Sequence, residues 1–256
     1  MSDQSPASRP TLSIIVATYN AARTIERCLA SIVRQSSSDW ELIVVDGMSS
    51  DDTMAVVERF ADYIAYGISE PDSGIYDAWN KALAQAKGKY VCFLGADDAF
   101  SDDDAVSALM EATAGRSFDL VSSRCRWVDA EGAVIGEGGG AWDFAKIGRR
   151  MPMCHPGLWH ARDLFDHYGH FEASYRITGD LDFLLRLPSS TRALHVERIT
   201  VNVENAGISR AQVLRRLREQ RRALAACPRF GTVRAWAVWA DKMWRYPIAR
   251  ALDIPF

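Results

Sequence analysis

The chain has 256 residues, 48% apolar and 25% charged, enough to fill the core of one large domain or two small ones. That composition excludes a disordered, collagenous or fibrous chain. Thirty Lys and Arg against 33 Asp and Glu leave a net charge of −3, which argues against a general nucleic-acid binder but leaves room for a local phosphate site.

Residues 11–18 (TLSIIVAT) are nearly all apolar and rich in β-branched side chains, which predicts a buried strand. Residues 21–34 follow with helical spacing at Ile25, Cys28, Leu29 and Ile32. ELIVVDG (41–47) is a second short apolar run ending in Asp46 and Gly47, and SSDDT then starts a helix that continues through Val56, Val57 and Phe60. YIAYGI (63–68) predicts a weaker strand, 75–86 a helix, and KYVCFLG (89–95) a strand that ends at Asp97 and Asp98. A helix over 102–114 precedes a strand at FDLVSS (118–123). Strands alternating with helices on this rhythm predict βαβ units and a mostly parallel sheet. Ligands of open α/β sheets bind beyond the carboxyl ends of the strands. Asp46, Asp97 and Asp98 fall there.

Residues 124–153 change character, with Trp127, Trp142, the run Gly138 to Gly140, and Arg149-Arg150. They predict short antiparallel strands and mobile loops. Short helices are expected over 161–168 and 179–187, a strand over 195–201, and a strongly basic helix over 211–225. Residues 210–250 hold eleven basic and two acidic side chains, net +9, whereas residues 1–209 carry net −11. Trp236, Trp239 and Met243 share a helical face near Val233 and Ala240, with Arg234, Lys242 and Arg245 beside it. A basic amphipathic segment with Trp reads as an interfacial membrane anchor. Packing of these aromatics on the domain or on a second subunit is the competing reading.

The five Cys make no CxxC pair and no zinc pattern, which suggests reduced, buried thiols in a cytoplasmic protein. Residues 1–10 carry no apolar leader, and no run approaches the roughly 20 apolar residues that span a bilayer.

No GxGxxG follows the first strand, and neither a Walker A lysine nor a GxSxG elbow occurs. SIIVATYN (13–20), VVDGMSSDDT (44–53), SEPDSGIYDAWNKALAQAKGKYVCFLGADD (69–98), MCHPGLWHARDLF (153–165) and FEASYRITGDLDFLLRL (171–187) instead resemble the family 2 glycosyltransferases. These are inverting enzymes with the GT-A fold. The resemblance covers roughly residues 11–210. The SGIYDAWNKA stretch resembles the subgroup that builds bacterial exopolysaccharides and lipopolysaccharides, colanic-acid-type enzymes included.

The resemblance implies an α/β fold with a Rossmann-like, mostly parallel sheet flanked by helices, a small antiparallel element and a C-terminal helical tail. It divides the chain into a disordered N-terminus (1–10), a catalytic domain (11–210) and a basic, Trp-rich extension (211–256). The donor half of the domain runs over about 11–123 and the acceptor half over about 124–210.

Position by position, the resemblance puts Thr18 and Asn20 near the nucleotide and Asp46 in the base–ribose pocket. Asp72 lies in a loop beside the donor sugar or the acceptor, with donor binding favoured, and Asp97 touches the ribose or supports the metal indirectly. Asp98 ligates the metal, Mn²⁺ or Mg²⁺. Asp180 is the catalytic base, with Gly179 where the family often has Glu. His155 and Trp79 belong to the acceptor side, and Ser209 and Arg210 help hold the phosphates. Each has a plainer reading too: Asp97-Asp98 as a helix cap, Trp79 as core, Asp180 as the cap of its helix.

The implied partners are a nucleotide-sugar donor, UDP-linked by preference, and a glycan or polyprenyl-diphosphate-linked acceptor. Peripheral contact at the cytoplasmic face of the inner membrane through 211–256 and a homodimer are further expectations; nucleic acid is not. The alternatives are an inactive sugar-nucleotide binding or scaffold protein and a nucleotidyltransferase.

Overall fold

The computed structural model describes residues 9–205 and 207–251. Most of the stretch expected to be disordered, 1–8, lies outside the described residues, as do 252–256 of the extension. In the first half, β1 (Leu12–Thr18), α1 (Ile25–Val33), β2 (Trp40–Asp46), α2 (Thr53–Glu58), β3 (Ile64–Ser69), α3 (Ile75–Leu83) and β4 (Tyr90–Gly95) alternate as the apolar runs require. After them come β5 (Ala99–Phe100), α4 (Ala105–Thr113), β6 (Leu120–Val128), β7 (Val134–Gly138) and α5 (Phe144–Ile147). The chain continues with β8 (Trp159–Ala161), α6 (Asp163–Tyr168), α7 (Gly179–Arg186), β9 (Ala193–Glu204), α8 (Ile208–Ala211), α9 (Val213–Ala226) and α10 (Gly231–Ala251).

The nine strands among the described residues join one sheet in the order β3-β2-β1-β4-β8-β6-β9-β5, with β7 paired to β6. β3, β2, β1 and β4 run parallel, and β8 lies antiparallel between β4 and β6. β6 and β9 are parallel to each other, while β7 and β5 add antiparallel edges. The mostly parallel, Rossmann-like sheet of the GT-A fold is therefore present.

Both faces of the central strands are covered, which is why they read as unbroken apolar runs. Ile14 and Val16 of β1 point into a layer with Ile25, Cys28, Leu29 and Ile32 of α1 and Leu109 of α4. Ile15 and Ala17 point into the opposite layer with Trp79 of α3, Phe165 of α6 and Phe183 of α7. Each fully buried Leu, Ile or Phe here stabilises the fold by about 1.5–3 kcal/mol.

Two expectations need correction. β6 runs on to Val128 through the proposed boundary between donor and acceptor halves at about 123/124, because residues 120–128 pair with β9 and 125–128 also pair with β7. The antiparallel element is the hairpin β6–β7. The other correction concerns the C-terminal helices. Ala223 and Leu224 of α9, Cys227, Phe230, and Ala235 of α10 belong to the same core layer as α3 and α7. The Phe230 ring lies so close to Gly148 that a Cβ there would stand 2.2 Å from it. Residues 213–235 are thus structural members of the domain, not an appendage.

Candidate active site

The strand register gathers the acidic residues along one edge of the sheet. Asp46 of β2 stands opposite Thr18 of β1 on one side and Ser69 of β3 on the other, and Gly95 of β4 stands opposite Ala17. Asp46 is fully buried. One of its oxygens accepts from the Ser49 backbone N–H at 2.9 Å and from the Ser69 hydroxyl at 2.6 Å, and the other accepts from the Ser49 hydroxyl. Asn20, with φ 48°, bridges to the same loop: its backbone N–H donates to Ser49 Oγ at 2.8 Å and its side-chain oxygen accepts from the Ser50 N–H at 2.9 Å. The Thr18 hydroxyl is buried beside them without a partner among the described residues. Asp72 reaches the same place: Gly47 admits it, since a Cβ at 47 would stand 2.7 Å from Asp72 Oδ2. Its other oxygen accepts from the Gly74 N–H at 2.8 Å.

Asp97 and Asp98 fold back over the end of β4. Gly95 makes the space, because a Cβ there would lie 2.5 Å from Asp97 Oδ1 and 3.0 Å from Asp98 Oδ2. The Gly95 N–H donates to Asp98 Oδ2 at 3.0 Å. Burial, and then the neighbouring Asp97 charge, push the Asp98 carboxyl well above the usual range. Asp97 is raised by burial and by Glu204. Arg27 opposes this, donating to the Asp97 carbonyl at 2.6 Å and to Glu204 at 2.7 Å. A buried carboxylate beside a half-buried one, with their charges in repulsion, suits a hard divalent cation. Among the described residues no third Asp, Glu, His or Cys joins them in a ligand cluster, so further ligands would have to come from a substrate.

Asp180 stands in the first turn of α7. The Tyr76 hydroxyl donates to its Oδ1 at 3.3 Å and the Leu181 N–H to the same atom at 2.8 Å. Burial pushes its carboxyl up to about 6, which leaves it mostly ionised at neutral pH. Gly179 is explained by the same contact. The Tyr76 ring lies 2.8 Å from where a Cβ at 179 would be, so no side chain fits.

The family profile described as Glycosyl transferase family 2 matches residues 13–156. The chain belongs to glycosyl transferase family 2. A PGL/p-HBAD biosynthesis glycosyltransferase of Mycobacterium bovis is 34% identical over 216 residues, 78% of this chain and 79% of that protein. The chondroitin synthase of Pasteurella multocida is 27% identical over 75% of this chain but only 20% of its own length. Among solved structures, the mannosyltransferase PcManGT from Pyrobaculum calidifontis in complex with GDP-Man and Mn²⁺ has a TM-score of 0.68 at 25% identity, covering 96% of this chain and 74% of that one. S. aureus TarS 1–349 in complex with UDP has a TM-score of 0.67 at 19% identity, covering 92% and 71%, and shares the fold.

In this glycosyltransferase the fold brings Thr18, Asn20, Asp46, Asp72, Asp97 and Asp98 to one sheet edge. His155 and Trp79 come together, but beneath the surface. Their rings stack at 5.2 Å, with Phe93 and Phe171 around them. Both are more than nine-tenths buried, and burial drops the His155 imidazole to about 3, so it is neutral. Both rings therefore belong to a buried aromatic layer, the plainer core reading for Trp79. Ser209 and Arg210 lie exposed on α8, and neither side chain forms a hydrogen bond or ion pair with the other candidates.

Two contributors were not foreseen. Arg176 lays its guanidinium over Gly74, where a Cβ would stand 2.3 Å from Nη1. That places a cation beside the N-terminus of α3. Glu219 of α9 binds the backbone just ahead of Asp180. The only available signal for Glu219 was that it is the one acidic residue in a helix of arginines.

A cavity of about 640 Å³ lies elsewhere, lined by Lys146, Arg149, Arg150 and Arg234 among others, and a smaller one of about 390 Å³ lies beside Asp182 and Arg186. Neither includes the strand-end carboxylates.

Proposed function

We propose that this chain is an inverting, metal-dependent glycosyltransferase that moves a sugar from a nucleotide donor, UDP-linked by preference, to a hydroxyl of a glycan or lipid-linked acceptor. The observation that carries the reading is the coexistence of two unlike acidic sites on one frame. One is the mutually repelling pair Asp97-Asp98, and the other is the single carboxyl of Asp180, raised to about 6. A donor that leaves as a diphosphate needs the first, and an acceptor that must lose a proton needs the second.

Asp180 takes the proton of the acceptor hydroxyl. The acceptor oxygen bonds to the anomeric carbon as the bond from that carbon to the diphosphate oxygen breaks. The nucleoside diphosphate departs with the electron pair, and attack from the opposite face inverts the centre. Asp98, supported by Asp97, would hold Mn²⁺ or Mg²⁺ together with the donor phosphates, and the ion supplies neutralisation of the charge on the leaving group. Asp46 acts through the 46–50 loop it fixes, which with Thr18 and Asn20 shapes the place for base and ribose. Asp72 faces the donor sugar.

The PGL/p-HBAD relative supports a glycolipid or exopolysaccharide pathway, and the mannosyltransferase solved with GDP-Man and Mn²⁺ supports both a metal and GDP-mannose as the rival donor. Intact acidic sites disfavour an inactive scaffold. The test is a panel of UDP-, GDP- and dTDP-sugars with Mn²⁺, Mg²⁺ or EDTA, read as release of nucleoside diphosphate. One donor turned over with metal and not with EDTA is expected. Silence across the panel, or full turnover in EDTA, contradicts the proposal.

The outward stripe of α10 supports peripheral membrane contact. Val233, Trp236, Trp244 and Ile248 are exposed at helical spacing, beside Arg234 and Arg245. No helix among the described residues is long and apolar enough to cross a membrane. Flotation with phosphatidylglycerol vesicles should recover the wild type and lose most of W236A/W244A; equal recovery would contradict lipid contact.

A further inference from the structure

The basic helix α9 carries one carboxylate, and it is buried. Glu219 points inward, where one of its oxygens accepts from the backbone N–H groups of Ile177 at 2.9 Å, Thr178 at 3.1 Å and Arg176 at 3.2 Å. The other oxygen accepts from the Arg176 N–H at 3.2 Å and pairs with Arg215 Nε at 3.1 Å. Three successive N–H groups converging on one charge form an anion nest, here filled by the chain itself. Hydrogen bonds to an ionised acceptor are worth about twice neutral ones, so this segment is held firmly. The residue after the nest is Gly179, pinned from the far side by the Tyr76 ring, and the next is Asp180.

We propose that Glu219 is a positioning residue for Asp180, fixing the first turn of α7 through the backbone of residues 176–178 and placing a second negative charge near the carboxyl. The inference rests on the reading of Asp180 as the base. Two mechanisms act together. Geometrically, residues 176–178 cannot shift without breaking charge-assisted bonds, so the Asp180 carboxylate stays where Tyr76 and the Leu181 N–H meet it. Electrostatically, Glu219 adds a like charge that helps keep Asp180 basic. The groups facing Asp180 are Tyr76 on α3 and Glu219 on α9, while Asp182 on α7 turns away to Arg186 at 3.6 Å. Both Asp180 and Glu219 lie outside the segment matched by the family profile, 13–156.

The test uses full-length E219Q and E219D, with D180N as reference. Asp carboxyl carbons are labelled with ¹³C, and the Asp180 resonance is assigned by its loss in D180N. E219Q keeps the shape and removes the charge. Its Asp180 midpoint should fall below that of the wild type, and turnover of the donor chosen by the panel should drop about tenfold with little change in KM. E219D keeps the charge and shortens the reach, so its midpoint should stay near the wild type while turnover still falls. Thermal melts confirm that each variant is folded. An unchanged midpoint in E219Q, or normal turnover in both folded variants, overturns the proposal while leaving an inactive D180N to support the base. Normal turnover in D180N overturns the base reading itself and the proposal with it.

Discussion

The loops at the ends of β1–β4 and the helices α9 and α10 are both dense in charge, and they dispose of it in opposite ways. At the end of β4, buried Asp98 is raised by its half-buried neighbour Asp97, which is itself raised by Glu204, with Arg27 as the opposing cation. On the C-terminal helices the arginines are absorbed by aromatic rings. Arg221 lies over Trp236 at 4.0 Å, Arg222 over Tyr175 at 3.8 Å, Arg229 over Phe144 at 4.8 Å and Arg234 over Phe230 at 4.7 Å. Such contacts stabilise by about 0.5–2 kcal/mol each and explain much of the basic, aromatic composition without a partner. Charge left in conflict marks the place where a ligand completes the balance, and charge matched internally marks structure. Glu219 belongs to neither pattern: it is buried on the backbone N–H groups of 176–178, just ahead of Asp180.

Removing α9 and α10 is the harshest way to break this comparison. Truncation after residue 212 strips Ala223, Leu224, Cys227, Phe230 and Ala235 from the core, and the shortened chain should lose its cooperative thermal transition. A folded, active truncation would return these helices to the status of an appendage. Next in size is D98N, which should cut turnover by roughly a thousandfold while leaving the melting temperature unchanged or raised, because metal-assisted charge stabilisation is worth several kcal/mol and the carboxylate repels Asp97. A metal titration that gives the same affinity in D98N and wild type would count against it.

G179A sharpens the comparison at a single methyl group. Alanine normally improves a helix over glycine by about 1 kcal/mol. Here the new Cβ meets the Tyr76 ring at 2.8 Å, so destabilisation of about 1–3 kcal/mol is expected instead, with a drop in turnover. Urea melts read the sign. The smallest effect is one of linkage. Asp180 holds its proton more tightly folded, at about 6, than at its ordinary value of 3.8. Its protonated form therefore favours the fold at low pH, and that support is lost as pH rises through about 6. D180N should melt higher than wild type at pH 7.5, and the gain should vanish near pH 4.

Much of this was legible in the sequence where local pattern and tertiary role coincide. β1, β2 and β4 are buried on both faces and read as unbroken apolar runs, with acids at the ends of β2 and β4, so both the sheet and its carboxylates could be placed. β8 could not be placed, because three residues with a buried His160 at their centre carry no periodicity. Nor could β5, of two residues. Asp180 was found through motif resemblance, but its hydrogen bond to Tyr76 and the nest at Glu219 join residues 41 to 104 positions apart, and no local pattern encodes such contacts. The Trp-rich end showed its amphipathic character in the sequence; that its arginines stack on Trp236, Tyr175, Phe144 and Phe230 depends on tertiary packing.

The most direct measurement is the pH–rate profile of nucleoside diphosphate release by wild type and D180N, with the donor the panel selects and saturating Mn²⁺. The account predicts a wild-type rate that falls below about pH 6 as the base takes up its proton, and a D180N rate lower by about 10²–10⁴ without that limb. A D180N enzyme with the wild-type rate and the same acid limb would contradict it.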